Sequence, residues 1–296
     1  MTPPAAGRGL PLPHLLLAVA VVAVWGSNFV VAHVGLDQFP PFTFAALRFA
    51  LVSLPLLPFV KRPQTSTATI AAYGVLIGVG QFGLMFYAMT GHISPGLASL
   101  LIQTQTFFTI GLAMFFSRER PQPANLMALG VSAIGIGIIA AHVGGDADPL
   151  GIVLVLGAAM GWAGGNIVVK RAGQIDMFAL VVWSSLFAVP PLALMALVLE
   201  GPSAATGAIA HADWIGWSTV LWQSVGNSLF GYVAWNWLLS RHPATQVAPM
   251  GLLVPVFGLS AAAWFLGEPL PGWKLAAAGL VIAGLIVNLR AKPRQA

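Results

Sequence analysis

Ten apolar runs alternate with short polar breaks along the chain, at roughly 14–33, 41–60, 69–89, 95–116, 123–142, 150–170, 177–198, 214–238, 244–265 and 272–290. A helix needs about 20 such residues to cross the hydrocarbon core of a bilayer. The pattern predicts an all-α polytopic membrane protein with ten transmembrane helices and no soluble domain in its loops. The first run, from about His14 to Ala32, is too long for a secretory signal, lacks a clear cleavage site and is followed by further spans.

Composition supports the lipid-facing reading. Hydrophobic residues make up 58% of the 296 positions and charged residues 7%, against roughly 25% charge in a soluble domain. A net charge of +5 would suggest nucleic acid in a soluble protein, but here Lys and Arg collect in the breaks between apolar runs. The expected partners are the lipid bilayer and a small-molecule substrate, with no nucleic acid. The absence of Cys excludes disulfides and thiolate metal sites.

The charges also predict direction. One set of run ends holds Arg8, Lys61, Arg62, Arg118, Arg120, Lys170, Arg171, Arg241, Arg290, Lys292 and Arg294; the opposite set holds Asp37, Asp146, Asp148, Glu200, Asp213 and Glu268, with Lys274 as its one cation. Cations gather on the cytoplasmic side of membrane proteins. Both termini are therefore expected in the cytoplasm, with the chain in the inner membrane.

A phrase recurs. Trp25-Gly26-Ser27-Asn28-Phe29-Val30-Val31 is echoed 137 positions later by Trp162-Ala163-Gly164-Gly165-Asn166-Ile167-Val168-Val169. Pro55 in the second run corresponds to Pro190 in the seventh. Glu119 precedes Gly130 and Gly135 by eleven and sixteen residues, and Glu268 precedes Gly279 and Gly284 by the same two spacings. Two five-span copies, over 1–145 and 146–296, must run in opposite directions because five is odd. Inverted repeats of this kind mark secondary transporters, with the substrate site where the copies meet.

Polar side chains at depth need a partner or a cavity. Arg48 is the clear charge inside a run, roughly 10 Å from its outer end at about 1.5 Å per residue. A guanidinium there can grip a substrate carboxylate bidentately; it can also cap the carbonyls of a broken helix or snorkel outward. Gln103 and Thr106 share one face of the fourth span, and Gln105 and Thr109 another, where helix–helix hydrogen bonding is the plainer explanation for one face. Gln223 and Asn227 stack on one face of the eighth span, as do Tyr232 and Asn236. Trp235 and Trp237 fit an interfacial belt, and His33 and His92 fit interfacial positions. Trp25 and Trp162 lie nearer mid-depth, where they either pack between helices or wall a cavity. Gly26, Gly164 and Gly165 let helices approach closely. Pro249 and Pro255 should kink the ninth span and free carbonyls toward the centre. Glu119 and Glu268 are placed to favour the starts of spans 5 and 10 through the helix dipole.

No metalloprotease, hydrolase or Walker motif is present, and no cofactor or metal is expected. Gly135-Ile136-Gly137-Ile138-Ile139-Ala140 fits a dinucleotide pattern formally, but it lies inside an apolar run rather than after a strand. Trp25 to Phe29, Leu47-Arg48-Phe49, Pro95 to Leu100 with Gln103, Glu119-Arg120, Trp162 to Asn166, Leu253 to Val256 and Glu268-Pro269 together resemble the drug/metabolite transporter superfamily, EamA type, over nearly the whole chain. The resemblance implies a secondary transporter, not an enzyme, that exports amino acids and related metabolites by alternating access, with a single chain sufficient to enclose the path. The candidate substrate-binding set is Arg48 for the carboxylate; Asn28, Gln103, Gln105, Asn166 and Asn227 for neutral hydrogen bonds; and Trp25, Trp162 and Tyr232 as walls. A broad efflux carrier for drugs or organic cations is disfavoured because no acid sits at mid-depth. A structural or sensory protein would have no reason to keep polar residues at one depth on several spans.

Overall fold

The structure, a computed structural model, describes residues 10–117, 123–142, 146–242 and 247–290. Arg8, Arg118, Glu119, Arg120, Lys292 and Arg294 lie outside the described residues, and with them the expected role of Glu119. The described chain is all-helical apart from one isolated bridge between Ile93 and Ala147. In order, α1 spans Leu12–Leu36, α2 Pro41–Ser53, α3 Thr67–Ala88, α4 95–117, α5 Pro123–Ala141, α6 Pro149–Ala172, α7 Met177–Glu200, α8 Pro202–His211, α9 214–241, α10 248–266 and α11 Gly272–Arg290. Helical structure falls on each of the ten apolar runs. Four helices, α1, α3, α6 and α7, are by themselves long and apolar enough to cross a membrane.

Local sequence explains where helices start and stop. Proline opens α1, α2, α4, α6 and α8, where its missing N–H costs nothing. Ser66, Ser94, Asp148, Asp176 and Asp213 cap α3, α4, α6, α7 and α9 by accepting from backbone N–H groups of the first turn. The second run is helical only to Ser53 and continues as turns, because Pro55 and Pro58 cannot donate to the preceding carbonyls. The short α8 was not legible as an apolar run. It follows Gly201, whose φ of +88° admits glycine without strain.

The helices pack as α1 on α10, α2 on α7, α5 on α11, and α6 against both α3 and α4. Small residues set the closest approaches, as expected for Gly26. A Cβ there would stand 2.5 Å from Phe257 Cβ and 2.6 Å from the Val254 carbonyl oxygen. Gly161 lies against Gly80, whose carbonyl carbon would be 2.6 Å from an added Cβ.

Four helices are interrupted partway along. α3 and α9 contain π-helical stretches at Leu76–Gly83 and Trp222–Phe230, and α4 and α10 contain 3-10 turns at Ile102–Thr104 and Ala248–Leu253. Such stretches break the regular ladder and leave backbone groups for other partners. Pro249 lies within the 3-10 turn of α10 and Pro255 opens the helix after it, in line with the expected kink.

One end of the bundle is tied by carboxylates. Glu200 accepts from the backbone N–H groups of Phe42, at 2.5 Å, and Thr43, at 3.1 Å, at the start of α2. Glu268 accepts from Gly96 N at 3.0 Å and Ser94 Oγ at 2.8 Å, at the start of α4. This corrects the expectation that Glu268 favours the start of its own following helix. Chain reversal at Gly267, in the left-handed region, accompanies its placement against α4. Lys274, the one cation at this end, is fully buried between Asp146 at 2.9 Å and Glu268 at 3.4 Å. The opposite end is aromatic: His14 packs edge-on to Trp237 and lies 2.6 Å from His242, and Trp235 packs against Trp25. Trp235 and Trp237 thus contribute to an inter-helix cluster at this end of the bundle.

Candidate functional site

The interrupted stretches surround a cavity. Its volume is about 110 Å³, and it is lined by Trp25, Asn28 and Phe29 of α1, Gln81 and Phe82 of α3, Ile102, Gln103 and Gln105 of α4, Trp162 of α6, Asn227 and Tyr232 of α9, and Val254 of α10. Seven of the nine candidate residues therefore meet at one place. Gln81 and Phe82 come from the π stretch of α3, Gln103 from the 3-10 turn of α4, and Asn227 from the π stretch of α9.

Broken helix geometry explains two features of the lining. A regular helix would turn Gln103 and Gln105 to different faces, but the 3-10 turn ends between them and both reach the cavity. Gln103 Nε2 donates at 3.2 Å to the carbonyl of Gly251 in the 3-10 turn of α10, an oxygen that also accepts from the Val254 N–H. Trp25 Nε1 donates to the Asn227 carbonyl at 3.2 Å within the π stretch of α9. Trp162 stacks on Tyr232 with ring centroids 5.9 Å apart, and Trp25 lies 6.0 Å from the same ring. These contacts fix the aromatic walls in place.

Two candidates lie elsewhere. Asn166 Nδ2 donates to Thr109 Oγ1 at 3.2 Å and ties α6 to α4 outside the cavity lining. Arg48 is fully buried beside the cavity rather than on it. It donates from Nη1 to Gln223 Oε1 at 2.8 Å and from Nη2 to Ser228 Oγ at 2.7 Å, and its guanidinium lies 3.6 Å from the Phe82 ring centroid. Ser224 Oγ donates to the Arg48 carbonyl at 3.0 Å. Among the described residues Arg48 makes no salt bridge. Gln223 and Asn227, expected on one face, are divided by the π stretch: Gln223 holds Arg48 and Asn227 lines the cavity. Phe82 and Tyr232 line both the cavity and a void of about 10 Å³ against Arg48. The Asn236 side chain lies outside the described part of the structure.

Gln81 was the residue missed. The rule that singled out the other polar side chains, a polar group deep within an apolar run, applies to it equally.

A larger cavity, about 670 Å³, opens at the carboxylate-rich end, lined by residues that include His33, Asp37, Ser94, Asp146, Asp148 and Glu268. Asp146, Asp148, Ser94 and Glu268 there are engaged in ion pairs or hydrogen bonds. His92 Nδ1 lies 2.7 Å from Asp148 Oδ2, and that contact, with the Gly151 N–H, holds the Asp148 carboxyl below the usual carboxylate range. In the smaller cavity three buried amide oxygens lack partners.

The chain matches the model of the EamA-like transporter family over residues 12–141 and 149–290. It is 41% identical over 279 residues to a Salmonella typhimurium protein described as a probable amino-acid metabolite efflux pump, covering 92% of this chain and 93% of that one. An Escherichia coli K12 protein of the same description is 36% identical over 280 residues, covering 93% and 94%. A solved crystal structure superposes with a TM-score of 0.63 at 16% identity, covering 93% of this chain and 96% of the other, a likeness of fold.

Proposed function

The chain belongs to the EamA-like transporter family, and on that premise we propose that it exports amino acids and related small metabolites from the cytoplasm by alternating access. The observation that carries this reading is the 110 Å³ cavity, walled by aromatics, lined by amides and free of acidic side chains, to which both halves of the chain contribute. Its size suits a small metabolite. The absence of an acid favours a zwitterion over an organic cation. The relatives described as amino-acid metabolite efflux pumps agree with that choice.

The transport path is read as ten spans in two inverted five-helix repeats, 1–145 and 146–296. Three features support it. Contacts of α1 with α10 are mirrored by those of α6 with α4. The π stretches inside α3 and α9 fall in the third and eighth runs, and the 3-10 turns in the fourth and ninth, which correspond under the repeat; a further π stretch, Ala196–Glu200, closes α7. Basic and acidic residues alternate at the run ends, which supports cytoplasmic termini in the inner membrane. One chain encloses the cavity, so a monomer is sufficient.

In this reading Asn28, Gln103, Gln105 and Asn227 contact substrate, with Trp25, Trp162 and Tyr232 as walls, and Asn166 supports the α4–α6 contact. Arg48, a buried cation without a carboxylate partner, draws the substrate carboxylate toward the Phe82–Tyr232 side of the cavity. The test is export of a labelled amino-acid panel from proteoliposomes, with and without a pH gradient. Saturable transport of at least one amino acid is expected, and its loss in Arg48→Ala at equal folded amount. No transport across the panel sinks the substrate class; normal transport by Arg48→Ala sinks the carboxylate role.

A further inference from the structure

The buried, unpartnered polar atoms of the cavity-lining side chains are all oxygens. Asn28 Oδ1, Gln81 Oε1 and Gln105 Oε1 are buried oxygens that accept no hydrogen bond, and all three side chains line the same cavity. Asn28 is 7% exposed and Gln81 9%. Native interiors leave few such groups without a partner, and each calls for an explanation. Three on three helices around one cavity make a set of acceptors waiting for donors.

The orientation of Gln105 follows from its neighbours. The Gly251 carbonyl can only accept, so Gln103 must turn its Nε2 toward it. Gln103 Oε1 then faces Gln105 Nε2 at 3.5 Å. That leaves Gln105 Oε1 for the cavity.

We propose that Asn28, Gln81 and Gln105 form a cradle for the substrate's primary ammonium group. A primary ammonium carries three N–H donors and no acceptor, which matches the three buried acceptors. The faces of Trp25, Trp162 and Tyr232 add attraction for a cation. The unpartnered donors lie on the other side: Arg48 Nε and Gln223 Nε2 are buried without partners, and Arg48 borders the small void that shares Phe82 and Tyr232 with the cavity. Acceptors on the cavity and donors beyond Phe82 and Tyr232 fit the two ends of an α-amino acid. Because the acceptors are neutral amides, the ammonium is held without a counter-charge, and the cation it brings does not have to be pulled from a carboxylate on release. The proposal rests on the amino-acid reading above and adds the residues that recognise the amine.

The experiment measures binding to the purified full-length protein through its tryptophan fluorescence, with each common L-amino acid, its N-acetyl derivative and simple primary alkylamines as probes. N-acetylation removes the charge and leaves one N–H in place of three. The amino acids that bind should lose affinity by about 100-fold on N-acetylation, given the strength of hydrogen bonds to charged groups. Gln81→Leu and Asn28→Leu should each weaken binding of the free amino acid by about tenfold. The wild-type comparison stands whether or not these variants fold. Equal binding of free and N-acetylated forms overturns the cradle and leaves the amino-acid reading intact. Binding of alkylamines with no binding of amino acids overturns the amino-acid reading and leaves the cradle. Binding of neither overturns both.

Discussion

The two cavities differ in what their polar groups are doing. In the 670 Å³ cavity at the carboxylate-rich end, four of the lining polar side chains are partnered: Asp146 and Glu268 flank Lys274, Ser94 donates to Glu268, which also holds the start of α4, and Asp148 pairs with His92 and caps α6. In the 110 Å³ cavity, three amide oxygens have no partner. The larger space is a consequence of how helices and loops are tied together, whereas the smaller holds unmet hydrogen-bonding capacity. Size alone does not report this difference.

This contrast predicts opposite responses to mutation. The largest effect on stability is expected from Glu268→Ala, which strips one partner from fully buried Lys274 and two donors at the start of α4. Breaking a buried ion pair this way should cost on the order of 3 kcal/mol, read as a lower melting temperature in detergent. Gly26→Ala comes next. Its methyl would collide with Phe257 and the Val254 carbonyl, and overpacking of that kind costs about 1–3 kcal/mol. That result would show that the wall of the small cavity is held by packing rather than by its polar lining.

Gln105→Leu should leave the melting temperature unchanged or slightly raised, because an apolar side chain has no buried oxygen to leave unpaired. Transport should fall in the same variant. A large loss of stability there would erase the distinction between the cavities.

The smallest effect is expected from acid. The carboxyls of Asp148 and Asp213 are held below their ordinary range, Asp148 first by its contact with His92 and Asp213 first by the Gly216 N–H. A depressed carboxylate contributes stability above its unfolded pKa and loses it as pH falls through the folded value. Melting temperature should therefore decline slightly below about pH 4, and less so in Asp148→Asn. Both groups are exposed, so the shift is small.

The all-helical class and most of the residues that line the small cavity were legible in the sequence. Apolar runs located the helices, and one rule, polar groups deep in such runs, found most of the cavity lining. Three things were not legible. The separation of Gln223 from Asn227 depends on a π stretch that no residue pattern announces. The capping of α4 by Glu268 joins residues 172 positions apart, beyond the reach of helix-start rules applied to neighbouring sequence. The burial of Arg48 behind Phe82 and Tyr232, and the diversion of Asn166 to Thr109, depend on side-chain packing between helices. Gln81 is equally a polar group deep in an apolar run, but it stands alone in the third run where Gln103 has Thr104, Gln105 and Thr106 beside it.

Passage of substrate through the smaller cavity is tested by labelled amino-acid counterflow in proteoliposomes carrying Asn227→Phe. The ring would obstruct the 110 Å³ space, while the Trp25 contact, made to the backbone carbonyl at this position, is retained. Counterflow should be abolished in protein whose folded yield and melting temperature match the wild type. Counterflow at the wild-type rate would contradict passage through this cavity.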